Sequence, residues 1–177
     1  MSAQIETAAE MSAGSSRHFG TPRVTAKIFI VNAWREILIL QRSDLEDTRQ
    51  GEGDLPGGKS DGRDPRKTAI AEFGEELPGA KLRHLEELYV HKATKIDGPR
   101  ETHYFGGIAD FPDGKVQLSH EHSGHLWVAH DLLSIVQWPE KYLIASRIGA
   151  PVIERLAAQQ LRQDSSMPLD DVRALAG

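Results

Sequence analysis

At 177 residues the chain has the length of one ordinary domain, enough to bury a core without disulfide or metal staples. With 39% hydrophobic and 27% charged residues, and no apolar run near the roughly 18 residues a membrane span needs, it reads as a soluble globular protein. A net charge of -5 argues against bulk nucleic acid as a partner, the absence of cysteine excludes disulfides and thiolate metal sites, and nothing in the first twenty residues reads as a secretory signal, so a cytoplasmic location is expected.

The first 21 residues, rich in Ala, Ser, Glu and Gly without apolar periodicity, are expected to be a disordered tail, with the folded domain over 22–163 and a flexible tail over 164–177. Two runs dense in Ile, Leu, Val and Phe, 24–31 and 36–41, flank the short polar break Asn32-Ala33-Trp34-Arg35 and predict a hairpin of buried strands. From Ser43 to Pro65 five glycines, two prolines and several aspartates predict a long functional loop. Asp64 as N-cap, Pro65 in the first turn, and Ala69, Ile70, Phe73 and Leu77 at helical spacing predict a helix over 65–77, stopped by Pro78-Gly79. Strands are expected at 84–93, 102–111, 115–118 and 125–129, with a tight turn at Asp113-Gly114. After Pro139 a helical pattern runs to Ile148, breaks at Gly149-Ala150-Pro151 and resumes to about Arg162.

Gly53-Asp54-Leu55-Pro56-Gly57-Gly58-Lys59-Ser60 satisfies the phosphate-loop string G-x-x-x-x-G-K-[ST]. That mechanism needs a strand running into the first glycine and a helix starting at the lysine, whereas Asp61-Gly62-Arg63-Asp64-Pro65 is turn chemistry. The reading is rejected on context. On the helix that follows, Glu72, Glu75 and Glu76 project within one arc, roughly 120° from the apolar stripe. Like charges three and four residues apart cost a few tenths of a kcal/mol per pair, roughly, and oppose the helix dipole late in the helix. Exposed glutamates on a solvated face are the plain explanation; a hard cation ligated by carboxylates is the other, and the glycine-rich loop in front favours it.

The segment from Asp54-Leu55-Pro56-Gly57-Gly58-Lys59 through Ala71-Glu72-Phe73-Gly74-Glu75-Glu76-Leu77 resembles the Nudix box, G-x5-E-x7-R-E-U-x-E-E-x-G-U with U apolar, and the order of elements is similar over about 24–158. The resemblance implies an α/β/α sandwich with a mixed sheet between the box helix and a C-terminal helix. It implies Mg²⁺-dependent hydrolysis, with Mn²⁺ an alternative ion, of a pyrophosphate bond in a nucleoside diphosphate linked to another group. Glu72 and Glu76 are then the metal ligands, Glu75 a ligand of a second ion or the group that positions water, Glu121 an extra metal ligand or general base, and Gly57, Gly58, Lys59 and Arg42 the substrate-binding set. Four departures stand against the pattern: the loop is one residue short, Arg63 takes the place of the loop glutamate unless Asp64 serves, Ala71 replaces the arginine before Glu72, and Pro78 replaces the glycine. They carry the alternative expectation of a catalytically weak or inactive domain that binds a nucleotide or a protein. Neither the attached group nor the oligomeric state is readable, a homodimer being one option. A zinc site among His120, His122, His125 and His130 and base stacking by Trp34, Trp127 or Trp138 are weighed against surface histidines and core aromatics, the commoner roles.

Overall fold

The computed structural model describes residues 20–44 and 49–165. The expected tails at 1–21 and 164–177 therefore lie almost wholly outside the described residues. In chain order the elements are β1 (Arg23–Ile30), β2 (Glu36–Arg42), β3 (Gly53–Asp54), α1 (Pro65–Glu76), β4 (Lys81–Lys95), β5 (Gly98–Asp110), β6 (His122–Ala129), α2 (Glu140–Ile148) and α3 (Ala150–Ser165), with short 3₁₀ turns at Pro112–Gly114 and His130–Ile135.

β1 pairs in parallel with β5, and β5 pairs antiparallel with β4, which makes a mixed sheet ordered β1-β5-β4; β2 lies between β3 and β6 in a second, antiparallel sheet. Side chains alternate along β1. Ala26, Ile28 and Ile30 face Ala69, Phe73 and Leu77 of α1, whereas Phe29 and Val31 join Tyr142, Ala145, Ile153, Leu156 and Ala157 of α2 and α3. Each helical layer covers one face, and the result is the expected α/β/α sandwich.

The strands β1 and β2 exist where their apolar runs place them, but they do not form the expected hairpin. One bridge, Val31 to Ile37, joins them. The free edge of β1 is taken instead by the glycine-rich loop: Ile28 N–H donates to Pro56 O at 2.8 Å, Ala26 N–H to Gly58 O at 2.9 Å, and Ser60 N–H to Val24 O at 2.9 Å. Leaving that edge unpaired would orphan backbone donors beside the core, and the loop satisfies them. The segment 115–118 is not a strand; Val116 and Leu118 pack on the α1 side without ladder pairing. Asp113 and Gly114 do turn, with φ of 52° and 66°, inside the 3₁₀ turn after β5. β4 and β5 form a longer ribbon than their apolar cores indicate, closed by a two-residue turn between Lys95 and Gly98.

α1 starts as the sequence indicates: Asp64 Oδ1 accepts the Lys67 N–H at 3.1 Å and Pro65 occupies the first turn. The Lys59 end of the phosphate-loop string makes a bridge to Thr25, and no helix begins there. Trp127 packs edge-on to Phe111, and Trp138 packs edge-on to Phe29 and Tyr142, so both serve the core; Trp34 stands exposed in the turn after β1. No described helix is long and apolar enough to cross a membrane.

Candidate functional site

The loop strapped to β1 and the helix that follows it meet at two glycines. Gly57 has φ +127° and its Cα stands against the Ala26 carbonyl, where a Cβ would lie 2.2 Å from the oxygen, so both its conformation and its packing demand glycine. Its N–H donates to Glu76 Oε2 at 2.7 Å. At Gly58 a Cβ would fall 2.2 Å from Glu72 Oε2, so the missing side chain is the space that the Glu72 carboxylate occupies. The structure thus brings Glu72, Glu76, Gly57 and Gly58 together.

Glu76 is 5% exposed. Burial pushes its carboxyl up to about 8 against the pull of Lys27 and the Gly57 N–H, with the charges of Asp54 and Glu72 adding to the rise. Burial also raises Glu72, helped by the charges of Glu75 and Glu121 and opposed by Lys27 and Arg63. Glu75 and Glu121 are exposed. The Glu121 segment is held beside α1 by Ser119 N–H, which donates to Glu76 O at 2.9 Å, and Ser43 N–H donates to Glu121 O at 2.9 Å.

Beneath the loop lies a buried ionic network that the sequence reading did not include. Lys27 points from β1 to the α2 side, and its Nζ pairs with Asp54 Oδ1 at 3.0 Å, with side chains 8% and 3% exposed. The same ammonium donates to the carbonyls of Leu55, at 2.9 Å, and Gly57. Asp54 also accepts Tyr142 Oη–H at 2.6 Å, the Leu55 N–H at 2.8 Å and Arg42 Nη1–H at 3.1 Å. Burial alone would raise the Asp54 carboxyl, but Lys27 and these hydrogen bonds outweigh it and hold it down at about 2. The signal was present in Val-Thr-Ala-Lys-Ile-Phe-Ile-Val at 24–31: one lysine inside an apolar strand must find a partner. Arg42 accordingly stands in this network, while Lys59 is exposed at the outer end of the loop.

Among the described residues no three His, Asp or Glu side chains already converge as a metal-binding group. The donor chemistry nevertheless fits a hard divalent cation: two carboxylates raised by burial, Glu72 raised further by Glu75 and Glu121 and Glu76 by Asp54 and Glu72, both seated on the glycines of the loop. Asp64 is engaged as the helix cap, and Arg63, exposed on the loop, contributes positive charge toward Glu72.

Three solved structures share this arrangement of elements. A MutT protein from Methanosarcina mazei Go1 superposes with a TM-score of 0.59 at 22% identity, over 76% of this chain and 95% of that one. A MutT Nudix hydrolase from Burkholderia pseudomallei gives 0.58 at 23%, over 72% and 98%. The chain has the Nudix fold. The Nudix domain of Shewanella oneidensis NrtR, solved with ADP ribose, gives 0.59 at 16%, over 78% and 90%. No family model and no curated protein matches the sequence. Ala71, at the position where the sequence resemblance has an arginine, is half-buried on α1.

Proposed function

We propose that the chain is a metal-dependent Nudix-type hydrolase that cleaves a pyrophosphate bond in a nucleoside diphosphate derivative, with Mg²⁺ as the ion and Mn²⁺ as a substitute. The observation that carries the reading is the seating of Glu72 and Glu76 on Gly58 and Gly57 within this fold. Glu72 and Glu76 hold the ion, which supplies charge neutralisation for the phosphate oxygens when bound. Glu75, exposed on α1 nearly one turn beyond Glu72, binds a second ion or orients the attacking water, and Glu121 assists by taking up the proton. Water attacks one phosphorus, the bridging P–O bond breaks, and two phosphate-bearing products leave. Gly57, Gly58 and Lys59 shape the phosphate end, and Arg42 acts through Asp54 on the floor of the loop.

The alternative is a Nudix domain that binds a nucleotide or a protein without turnover. Lys27 favours it: its ammonium already contacts the Gly57 carbonyl and lowers both Glu72 and Glu76, so part of a cation's electrostatic work is done by the chain. Product release from nucleoside triphosphates, dinucleotides and sugar nucleotides, with Mg²⁺ and with chelator, separates the two. Turnover on the order of one per second with Mg²⁺ removes the binding module, and tight binding without products removes the enzyme. Gel filtration tests whether the chain pairs with a second copy, and cell fractionation tests the expected cytoplasmic location.

A further inference from the structure

Among the described residues Lys27 is the single Lys or Arg that the fold buries, 6% exposed in the middle of β1. An ammonium has three N–H donors, and each finds an acceptor here: Asp54 Oδ1 at 3.0 Å, Leu55 O at 2.9 Å and Gly57 O. Two of the three are carbonyls of the glycine loop. Along 55–58 the carbonyls alternate in their partners. Those of Pro56 and Gly58 accept the backbone N–H of Ile28 and Ala26, whereas those of Leu55 and Gly57 end on the Lys27 side chain. One side chain thus completes a seam that backbone pairing alone leaves half made.

Gly57 is held from both sides as a result. Its carbonyl is fixed by Lys27 from the α2 side of β1, and its N–H donates to Glu76 Oε2 at 2.7 Å on the α1 side. Its φ of +127° is one that L side chains rarely adopt, and a glycine without these two ties has wide rotational freedom. Gly58, next in the chain, is the residue against which the Glu72 carboxylate lies. Burial raises both carboxyls, and Lys27 is the largest opposing charge at each. On α1 the position before Glu72 is Ala71, which has no charge to offer.

We propose that Lys27 is a positioning residue of the carboxylate site: by clamping the Leu55 and Gly57 carbonyls it sets the backbone on which Glu76 and Glu72 are seated to receive a divalent cation. The clamp rests on the described contacts alone, and the cation rests on the hydrolase reading.

The test is amide hydrogen exchange at Gly57 and calorimetric titration with Mg²⁺, on the full chain as parent, as the paired variant Lys27→Met with Asp54→Asn, and as Tyr142→Phe. The paired change removes the ammonium without leaving Asp54 charged, and Tyr142→Phe takes a different hydrogen bond from Asp54 while the clamp stays in place. The Gly57 amide is expected to be protected in the parent. In the paired variant it is expected to exchange at least about tenfold faster relative to the amides of β5, and Mg²⁺ to bind at least about tenfold more weakly. Tyr142→Phe is expected to leave both readings unchanged. A lysine acting only by repulsion gives the opposite sign, since removing a cation near the site tightens Mg²⁺ binding. Tighter or unchanged Mg²⁺ binding in the folded paired variant, the same losses in Tyr142→Phe, or an unprotected Gly57 amide in the parent overturns the proposal; the last needs no variant to fold. A parent that binds no Mg²⁺ and releases no product removes the hydrolase, and the Gly57 exchange rates then judge the clamp by themselves.

Discussion

Glu76 reaches back nineteen residues to accept the Gly57 N–H at 2.7 Å, tying the end of α1 to the loop on β1. That contact sets the distance between helix and loop, and with it the space in which Glu72 lies against Gly58. The two glycines answer differently to the same change. Gly58→Ala meets only the far end of a flexible side chain, so it is expected to displace Glu72, reducing turnover at least about tenfold while unfolding stays within about 1 kcal/mol of the parent. Gly57→Ala meets the Ala26 backbone at a positive φ and is expected to cost about 2 to 4 kcal/mol. Turnover and chemical denaturation of both variants check this; equal stability losses contradict it.

Lys27→Met removes the ammonium that pairs with Asp54 and ties down the Leu55 and Gly57 carbonyls. Leaving Asp54 buried without its cation is expected to cost about 3 to 5 kcal/mol. The double change with Asp54→Asn is expected to recover part of that loss, because the uncompensated charge goes with it. A denaturant series on the two variants measures the difference, and no recovery in the double variant argues against the ion pair as the cause.

Acid stability follows from the same pair. The Asp54 carboxyl is held at about 2 in the fold against an ordinary value of 3.8, a depressed acid, so its contribution is full above 3.8 and is lost as pH falls through 3.8 toward 2. The loss is expected to amount to about 2 kcal/mol. Unfolding free energy measured from pH 6 to pH 2 should show this fall in the parent and a smaller one in Asp54→Asn.

The layered fold was legible because α1 carries its own start and stop signals and because the apolar runs mark the core strands. Which strands pair was not. β1 and β2 are apolar on both faces, a pattern that suits a hairpin and equally suits two strands buried between helices. Nothing in the composition of 56–60 indicates that a glycine loop supplies the second edge of β1 through Ala26, Ile28 and Ser60. The acid cluster was legible from helical spacing, since Glu72 and Glu76 share a face by geometry alone. The Lys27–Asp54–Tyr142 network was not, because its members lie far apart in sequence and meet only when β1, β3 and α2 close on one another. The extent of β4 and β5 was underread since their outer halves, from Lys92 to Glu101, are polar and exposed and lack the apolar alternation that marks a half-buried strand.

Metal-dependent hydrolysis at Glu76 is tested by Mg²⁺-dependent product release from the parent chain and from Glu76→Gln. Glutamine keeps an oxygen for the Gly57 N–H and puts no ionisable group in the buried site, so the variant is expected to fold at least as well as the parent. Turnover in the parent that chelator abolishes, and a loss of at least about 100-fold in Glu76→Gln, are expected. Equal turnover in the folded variant, or turnover unchanged by chelator, would contradict metal-dependent hydrolysis at Glu76.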